Sequence, residues 1–221
     1  MVKKSRKDKR KNALEILEEA KKLYPWAECA LVHEGALQLL VATILSAQCT
    51  DERVNKVTKK LFKKYKSVND FTKAELNELG RDIRPTGYYN SKAKYIKGAC
   101  EMIVNEYEGK VPDNMEELVK LPGVGRKTAS VVLGVIFGKA EGVVVDTHVF
   151  RISKRLGLSK GNSPEIVERD LMKILPNEYW IDWADHLIWH GRRVCDARKP
   201  SCNTCTLEIR CPKVGVKTPT R

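Results

Sequence analysis

Four groups of residues in this chain have the types and spacing to do chemistry. The first is Leu121-Pro122-Gly123-Val124-Gly125, followed at once by Arg126-Lys127. Two glycines two apart let a backbone take positive φ and come close to a ligand. A helix opening at Arg126 would then present unpaired N–H groups carrying a partial positive charge. A phosphate fits such a place without any base being read. A bare Gly-x-Gly between helices is more often an ordinary packed corner; flanking Leu121 and Pro122 and the basic pair Arg126-Lys127 turn the reading toward an anion site.

Lys127 is the second. Lysine side chains are almost wholly protonated at neutral pH, and one a turn into a helix is usually a solvated charge. A positive helix N-terminus and a partly desolvated cleft would favour the neutral amine, a nucleophile for an electrophilic sugar carbon. The third group is Asp146, a single carboxylate after the apolar run Val143-Val144-Val145 and at the start of a helix. Taken alone it is a plain N-cap. Facing Lys127, it could also stabilise an oxocarbenium-like sugar or accept a proton from the incoming amine. Capping and catalysis are compatible, because a cap fixes the side chain's direction. His148, close by, reads as a structural or hydrogen-bonding residue.

The fourth group is Cys195-x6-Cys202-x2-Cys205-x5-Cys211, beside Arg198, Lys199 and Arg210. Four thiols crowded into one short segment fit a metal site better than a disulfide framework. The spacing leaves zinc and a [4Fe–4S] cluster open. Charge does not separate them either, since four thiolates bring both to the same net charge. A metal would pin the loop from Asp196 to Ser201 and turn Arg198 and Lys199 outward as phosphate contacts. Cys29, Cys49 and Cys100 lie in helical or apolar surroundings and read as buried small hydrophobes.

The elements that must position these groups read as all-α. Apolar residues recur at helical spacing, as in Leu14, Leu17 and Ala20 or Ile96, Cys100, Ile103 and Tyr107, and sustained period-two alternation is missing. Helices are expected near 11–23, 36–48, 52–65, 73–79, 91–107, 114–121, 126–137, 147–156, 164–175 and 180–194. Thr72 with Glu75 makes a capping box, Ser163-Pro164 a capped start, and Gly109 and Gly138 stops. With 42% hydrophobic residues among 221, the chain can bury a real core without staples. Composition shifts after Gly142, a candidate lobe boundary.

The chain carries 41 basic and 28 acidic side chains, a net charge of +13. That balance favours a polyanionic partner such as nucleic acid, ribosome or membrane surface, and charge alone does not choose among them. Residues 1–12 read as a basic flexible arm, either a solvated terminus or a nonspecific phosphate-binding arm. No apolar stretch reaches membrane length, so a soluble, intracellular protein is expected.

Taken together, the chain resembles the endonuclease III family of DNA glycosylases, in the helix-hairpin-helix superfamily, from about residue 12 onward. The resemblance rests on Leu45-Ser46-Ala47-Gln48 followed by Thr50-Asp51, on Tyr89-Asn90-Ser91-Lys92-Ala93, on Leu121 to Ala129, on Val145-Asp146-Thr147-His148 and on the cysteine spacing. It implies an all-α, two-lobe helix-hairpin-helix glycosylase fold. One lobe is a six-helix lobe at 29–140 with the hairpin. The other joins 13–28 to 141–221 around a [4Fe–4S] cluster on Cys195, Cys202, Cys205 and Cys211, and DNA lies across the cleft.

By the same route Lys127 is the Schiff-base nucleophile and Asp146 its carboxylate, while Gln48 and the segment around Tyr88 invade the space left by a flipped nucleotide. Leu121, Gly123, Val124, Gly125 and Arg126 hold DNA at the hairpin, and Arg198 and Lys199 hold it at the cluster loop. The expected activity is bifunctional: removal of oxidised pyrimidines from duplex DNA and β-elimination at abasic sites. The resemblance also implies a monomer in the cytoplasm, associated with the nucleoid. Two positions depart from the family pattern. Tyr88 stands where many relatives carry leucine, so the wedge can stack on bases, and Cys49 replaces a common alanine beside Gln48. Adenine-removing relatives generally lack the lysine, and the thymine-mismatch branch can carry tyrosine at its position; Lys127 argues against both. A rival from another class is a noncatalytic DNA-binding or redox-sensing protein in which the hairpin and cluster supply affinity and signalling only; Lys127→Ala distinguishes it, since DNA affinity should largely survive while base release and strand cleavage collapse in an enzyme.

Overall fold

The computed structural model describes residues 5–216, and every regular element among them is helical, as expected. The helices are α1 (Arg6–Leu23), α2 (Ala36–Ser46), α3 (Asp51–Lys64), α4 (Val68–Lys73), α5 (Leu76–Asp82), α6 (Tyr89–Glu106), α7 (Met115–Leu118), α8 (Arg126–Phe137), α9 (Thr147–Arg155), α10 (Pro164–Ile174) and α11 (Trp180–Arg193). Short 3-10 turns lie at Arg84–Thr86, Asn177–Tyr179, Cys202–Thr204 and Glu208–Arg210. The chain divides into two compact units: one is Cys29–Glu141, and the other joins the described parts of Met1–Glu28 and Gly142–Arg221. No helix among the described residues is long and apolar enough to cross a membrane.

The Cys29–Glu141 unit is built around α2. Apolar on every side, that helix has to be enclosed, and Leu39 through Leu45 are all buried. Thr43, the polar residue in that run, satisfies its hydroxyl by donating to the Leu39 carbonyl at 2.7 Å. Helices α3, α6 and α8 pack against α2, and α6 also covers α4 and α5. Phe71, Leu79, Ile96, Ile103 and Leu118 fill the interior, each stabilising by roughly 1.5–3 kcal/mol through burial.

The other unit packs α1 against α10 and α11, and α9 against the same two helices. Ala13, Ile16, Leu17 and Ala20 form the buried stripe of α1, and the first three share one core with Val149, Ile152, Leu171, Trp183 and Leu187.

Two sequence expectations are corrected here. Residues 6–12, expected within the flexible arm, are the opening turns of α1. Ser5 and Asp8 cap that helix reciprocally. Its cations are also used within the unit: Arg6 Nε donates to the Lys173 carbonyl at 2.7 Å and Lys9 Nζ to the Leu158 carbonyl at 3.0 Å. Residues 1–4 of that arm lie outside the described residues. The single helix expected at 73–79 is replaced by α4 and α5. The working capping box is Ser67 with Asp70, whose backbone and side chains exchange bonds, whereas the Thr72 hydroxyl donates back to Asn69 inside α4.

Candidate functional site

Helices α7 and α8 pack on each other across the loop 119–125, so the hairpin read from the sequence is present. Gly123 has φ +76°, and a Cβ there would lie 2.6 Å from Tyr95 Cβ on α6; Gly98 of α6 leaves room for the Pro122 ring. The loop is therefore seated on α6 through its glycines. Leu121 and Val124 are buried, and the Val124 N–H is spent on the Leu121 carbonyl at 3.0 Å. Their side chains hold the turn from within; Gly123, Gly125, Arg126 and Lys127 form its exposed rim. Gly125 is the N-cap of α8 and lends no side-chain acceptor to the first amides of that helix, the arrangement that suits an anion. The Arg126 guanidinium donates to the Glu141 carbonyl at 3.3 Å.

Lys127 occupies the second position of α8 and is exposed.

Asp146 belongs to the other unit and is the N-cap of α9. Its Oδ1 accepts from the amides of His148 and Val149, both at 2.8 Å, and Oδ2 takes no part in the cap. His148 is packed against Gly191, where any Cβ would meet its ring at 2.6 Å. Burial holds its imidazole below the usual histidine value, and Arg151 and Arg192 push the same way against the pull of Asp146. Arg151 Nη2 lies 3.1 Å from its Nδ1, so packing and a hydrogen bond both hold the ring.

The far end of α9 organises the cysteines. Arg151 donates to the Cys195 carbonyl from Nη2 at 2.9 Å. Arg155 donates to Cys195 Sγ at 3.2 Å, to the Asp196 carbonyl at 2.6 Å and to the Ala197 carbonyl at 2.8 Å. The Asp196 carboxylate accepts from the amides of Arg198 and Lys199 at 2.8 and 3.0 Å, which hold it below the usual carboxylate range. Arg198 and Lys199 are exposed. Cys195, Cys202, Cys205 and Cys211 line one cavity with Arg155 and His190. Burial pushes the Cys205 thiol up to about 11, and the charges of the three other cysteines add to it. His190 is buried, its Nδ1 3.1 Å from the Tyr24 hydroxyl and its Nε2 3.6 Å from Cys205 Sγ. Burial lowers it to about 4.

Gln48 and Tyr88 are exposed and both adopt left-handed backbone, φ 53° and 48°, a conformation that costs a non-glycine residue energy and clusters at functional sites. Of the remaining cysteines, Cys100 is buried, as expected, and burial pushes its thiol up to about 12; Cys29 and Cys49 are half-buried.

Sequence reasoning missed Arg151, Arg155 and Lys92. The two arginines sit four apart on a short amphipathic helix, a spacing that reads as a solvated face. Lys92 did carry a signal: it lies four residues before Ile96 on the apolar stripe of α6.

Residues 41–177 match the family model described as HhH-GPD superfamily base excision DNA repair protein. The chain is 54% identical to endonuclease III of Synechocystis sp. over 92% of its length and 93% of the relative's. A solved endonuclease III trapped as a covalent intermediate with DNA shares 45% identity, with a TM-score of 0.87 over 96% of this chain and 97% of that one. A non-covalent endonuclease III–DNA complex shares 44%, with a TM-score of 0.88 over the same shares of the two chains. The chain belongs to the endonuclease III family of base excision DNA repair proteins.

Proposed function

We propose that this protein is a bifunctional DNA glycosylase and abasic-site lyase that removes oxidised pyrimidines from duplex DNA, with Lys127 as nucleophile. One observation carries the reading: Lys127 stands in the first turn of α8, directly after a glycine hairpin fit for phosphate, in a chain whose solved relatives include a trapped covalent DNA intermediate. The hairpin amides and the rim cations hold backbone phosphate and register the DNA without reading sequence. Gln48 and Tyr88 enter the space vacated when the damaged nucleotide is flipped out.

The Lys127 amine then attacks C1′. A bond forms between Nζ and C1′, the glycosidic bond breaks, and the base leaves with a proton. The sugar ring opens to an imine on Lys127. Loss of the C2′ proton lets the C3′–O bond break, releasing the 3′ phosphate, and water returns the free lysine. Lys127 is exposed on the hairpin rim, where bound DNA would cover it. Asp146 stabilises positive charge on the sugar and receives the amine's proton, through the oxygen its cap leaves over.

Cys195, Cys202, Cys205 and Cys211 would hold a [4Fe–4S] cluster, which when bound would pin the loop carrying Arg198 and Lys199. The lining of one cavity by all four supports the fit. Among the described residues no three candidate ligands gather around a single-ion position. A four-iron cluster does not ask for that, since each cysteine ligates a different iron.

Borohydride reduction during turnover tests the nucleophile. It should trap a protein–DNA adduct on duplexes containing thymine glycol, and the adduct should vanish in Lys127→Ala. Cleavage of abasic DNA by the unaltered protein without any trappable adduct refutes the mechanism. Parallel duplexes carrying G·T or oxoguanine·A mismatches test the substrate class.

A further inference from the structure

Lys92 is an almost fully buried cation, 3% exposed, with no acid among its hydrogen-bond partners. Its ammonium donates to two backbone carbonyls, that of Leu45 at 2.7 Å and that of Thr86 at 2.8 Å. Burying a lysine is costly unless its donors are met, so the site must return something. Both acceptors stand at helix ends. Leu45 lies in the last turn of α2 and Thr86 ends the 3-10 turn Arg84–Thr86. Such carbonyls have no partner within their own helices, and the negative end of a helix favours a cation.

The position of those ends is what matters. Leu45 is three residues before Gln48, and Thr86 is two before Tyr88. These two exposed tips, φ 53° and 48°, are two of the four non-glycine residues with positive φ among the described residues. The Lys92 backbone joins in, its N–H bonding to the Tyr88 carbonyl at 3.0 Å. One side chain thus ties together, from beneath, two loops 40 residues apart in the chain, each of which ends in a strained tip.

We propose that Lys92 is a positioning residue: it clamps the Gln48 and Tyr88 loops at a fixed separation so that the two tips enter the duplex together. The proposal rests on the reading that Gln48 and Tyr88 invade the DNA. Lys92 does not touch the substrate. It acts by removing the freedom of each loop to retreat when the opposing base pair resists. A misplacement of about 1 Å in such a device costs on the order of a hundredfold in rate.

The test uses the full-length protein and duplexes with one thymine glycol beside 2-aminopurine, whose fluorescence rises when its stack is broken. The unaltered protein should give a rapid rise, and Gln48→Ala and Tyr88→Ala should lose most of it. If they do not, the invading reading fails, whatever Lys92 does. Lys92→Met keeps the stem and removes the donors. It should slow both unstacking and single-turnover base release about tenfold or more, with affinity for undamaged duplex within about twofold. On a duplex already opened by an abasic analogue opposite the lesion, the same variant should fall short by about threefold or less, because less wedging is needed. Lys92→Gln, which retains a donor, should lie between the two proteins and carries the same comparison where Lys92→Met does not fold. A merely structural role would lower the rates on paired and pre-opened duplexes equally. That outcome, or unstacking at the unaltered rate, overturns the clamp.

Discussion

Arg155, near the last turn of α9, donates directly to Sγ of Cys195 at 3.2 Å while the same guanidinium binds the two carbonyls that follow it, those of Asp196 and Ala197. A planar fork that meets one sulfur and several carbonyls fixes the start of the cysteine segment before any metal is considered. On the proposal that the four cysteines hold an iron–sulfur cluster, Arg155→Met should fold, yet lose iron and bind duplex DNA about tenfold more weakly, the effect of removing charge-assisted hydrogen bonds from a partly buried site. Iron per chain and a DNA titration check it. A full complement of iron with unchanged affinity would show the contact to be incidental.

The cap that Asp146 makes and the catalytic role proposed for it can be separated by a single substitution. Asparagine caps a helix about as well as aspartate, so Asp146→Asn should keep the bonds to His148 and Val149 and shift the melting temperature little. Without the carboxylate charge, base release should fall by about a hundredfold or more. A melting curve and single-turnover kinetics on one preparation decide it. Equal activity would confine Asp146 to its cap.

Gly123→Ala meets two obstacles, a φ of +76° and a Tyr95 Cβ at 2.6 Å. The hairpin should shift, weakening binding to damaged and undamaged duplexes alike by about tenfold, since phosphate contacts carry no sequence information. Adding Tyr95→Ala should not restore binding, because the alanine remains in left-handed backbone at a cost of about 1–2 kcal/mol. Full rescue by the double variant would mean that crowding alone was at fault.

Asp185 on α11 offers a pH test away from the chemistry. Burial pushes its carboxyl up to about 7 from the ordinary 3.8, and neighbouring Asp182 and Glu28 add to the rise. The folded protein therefore keeps a proton that the unfolded chain gives up. Asp185 contributes fully to stability below about pH 4 and loses that contribution as pH rises through about 7. Urea midpoints between pH 5 and pH 8 should fall for the unaltered protein and fall less for Asp185→Asn. Parallel curves would remove Asp185 as the cause.

The sequence disclosed those parts whose local pattern matches their physics. The hairpin was legible because glycine spacing and a following helix are contiguous, and Asp146 because N-capping is a matter of a few residues. The cysteine quartet announced a metal through residue type, though its spacing left zinc and iron–sulfur open until the family resemblance was added. Arg155 and Lys92 were not found. Arg155 meets partners about 40 residues away, and its place on a short helix reads as solvated, whereas Lys92 carries a signal only in its register with the apolar stripe of α6. Leu121 and Val124 could not be told from exposed rim residues by type either; only the packed hairpin shows their side chains turned inward. The start of α1 was missed because a run of lysines and arginines suggests solvent, whereas the Ser5–Asp8 cap and the carbonyls that Arg6 and Lys9 reach require helix.

Helix α9 bears Asp146 at one end and grips the cysteine segment with Arg155 at the other. Each residue of an α-helix turns the chain by about 100°. Inserting or deleting a single residue within α9 would therefore swing one end around relative to the other, leaving the carboxylate or the arginine aimed at nothing. Only Thr147 of the nine helical residues is exposed, so little of the helix is free to compensate. Helix α9 should therefore be intolerant of any change in length.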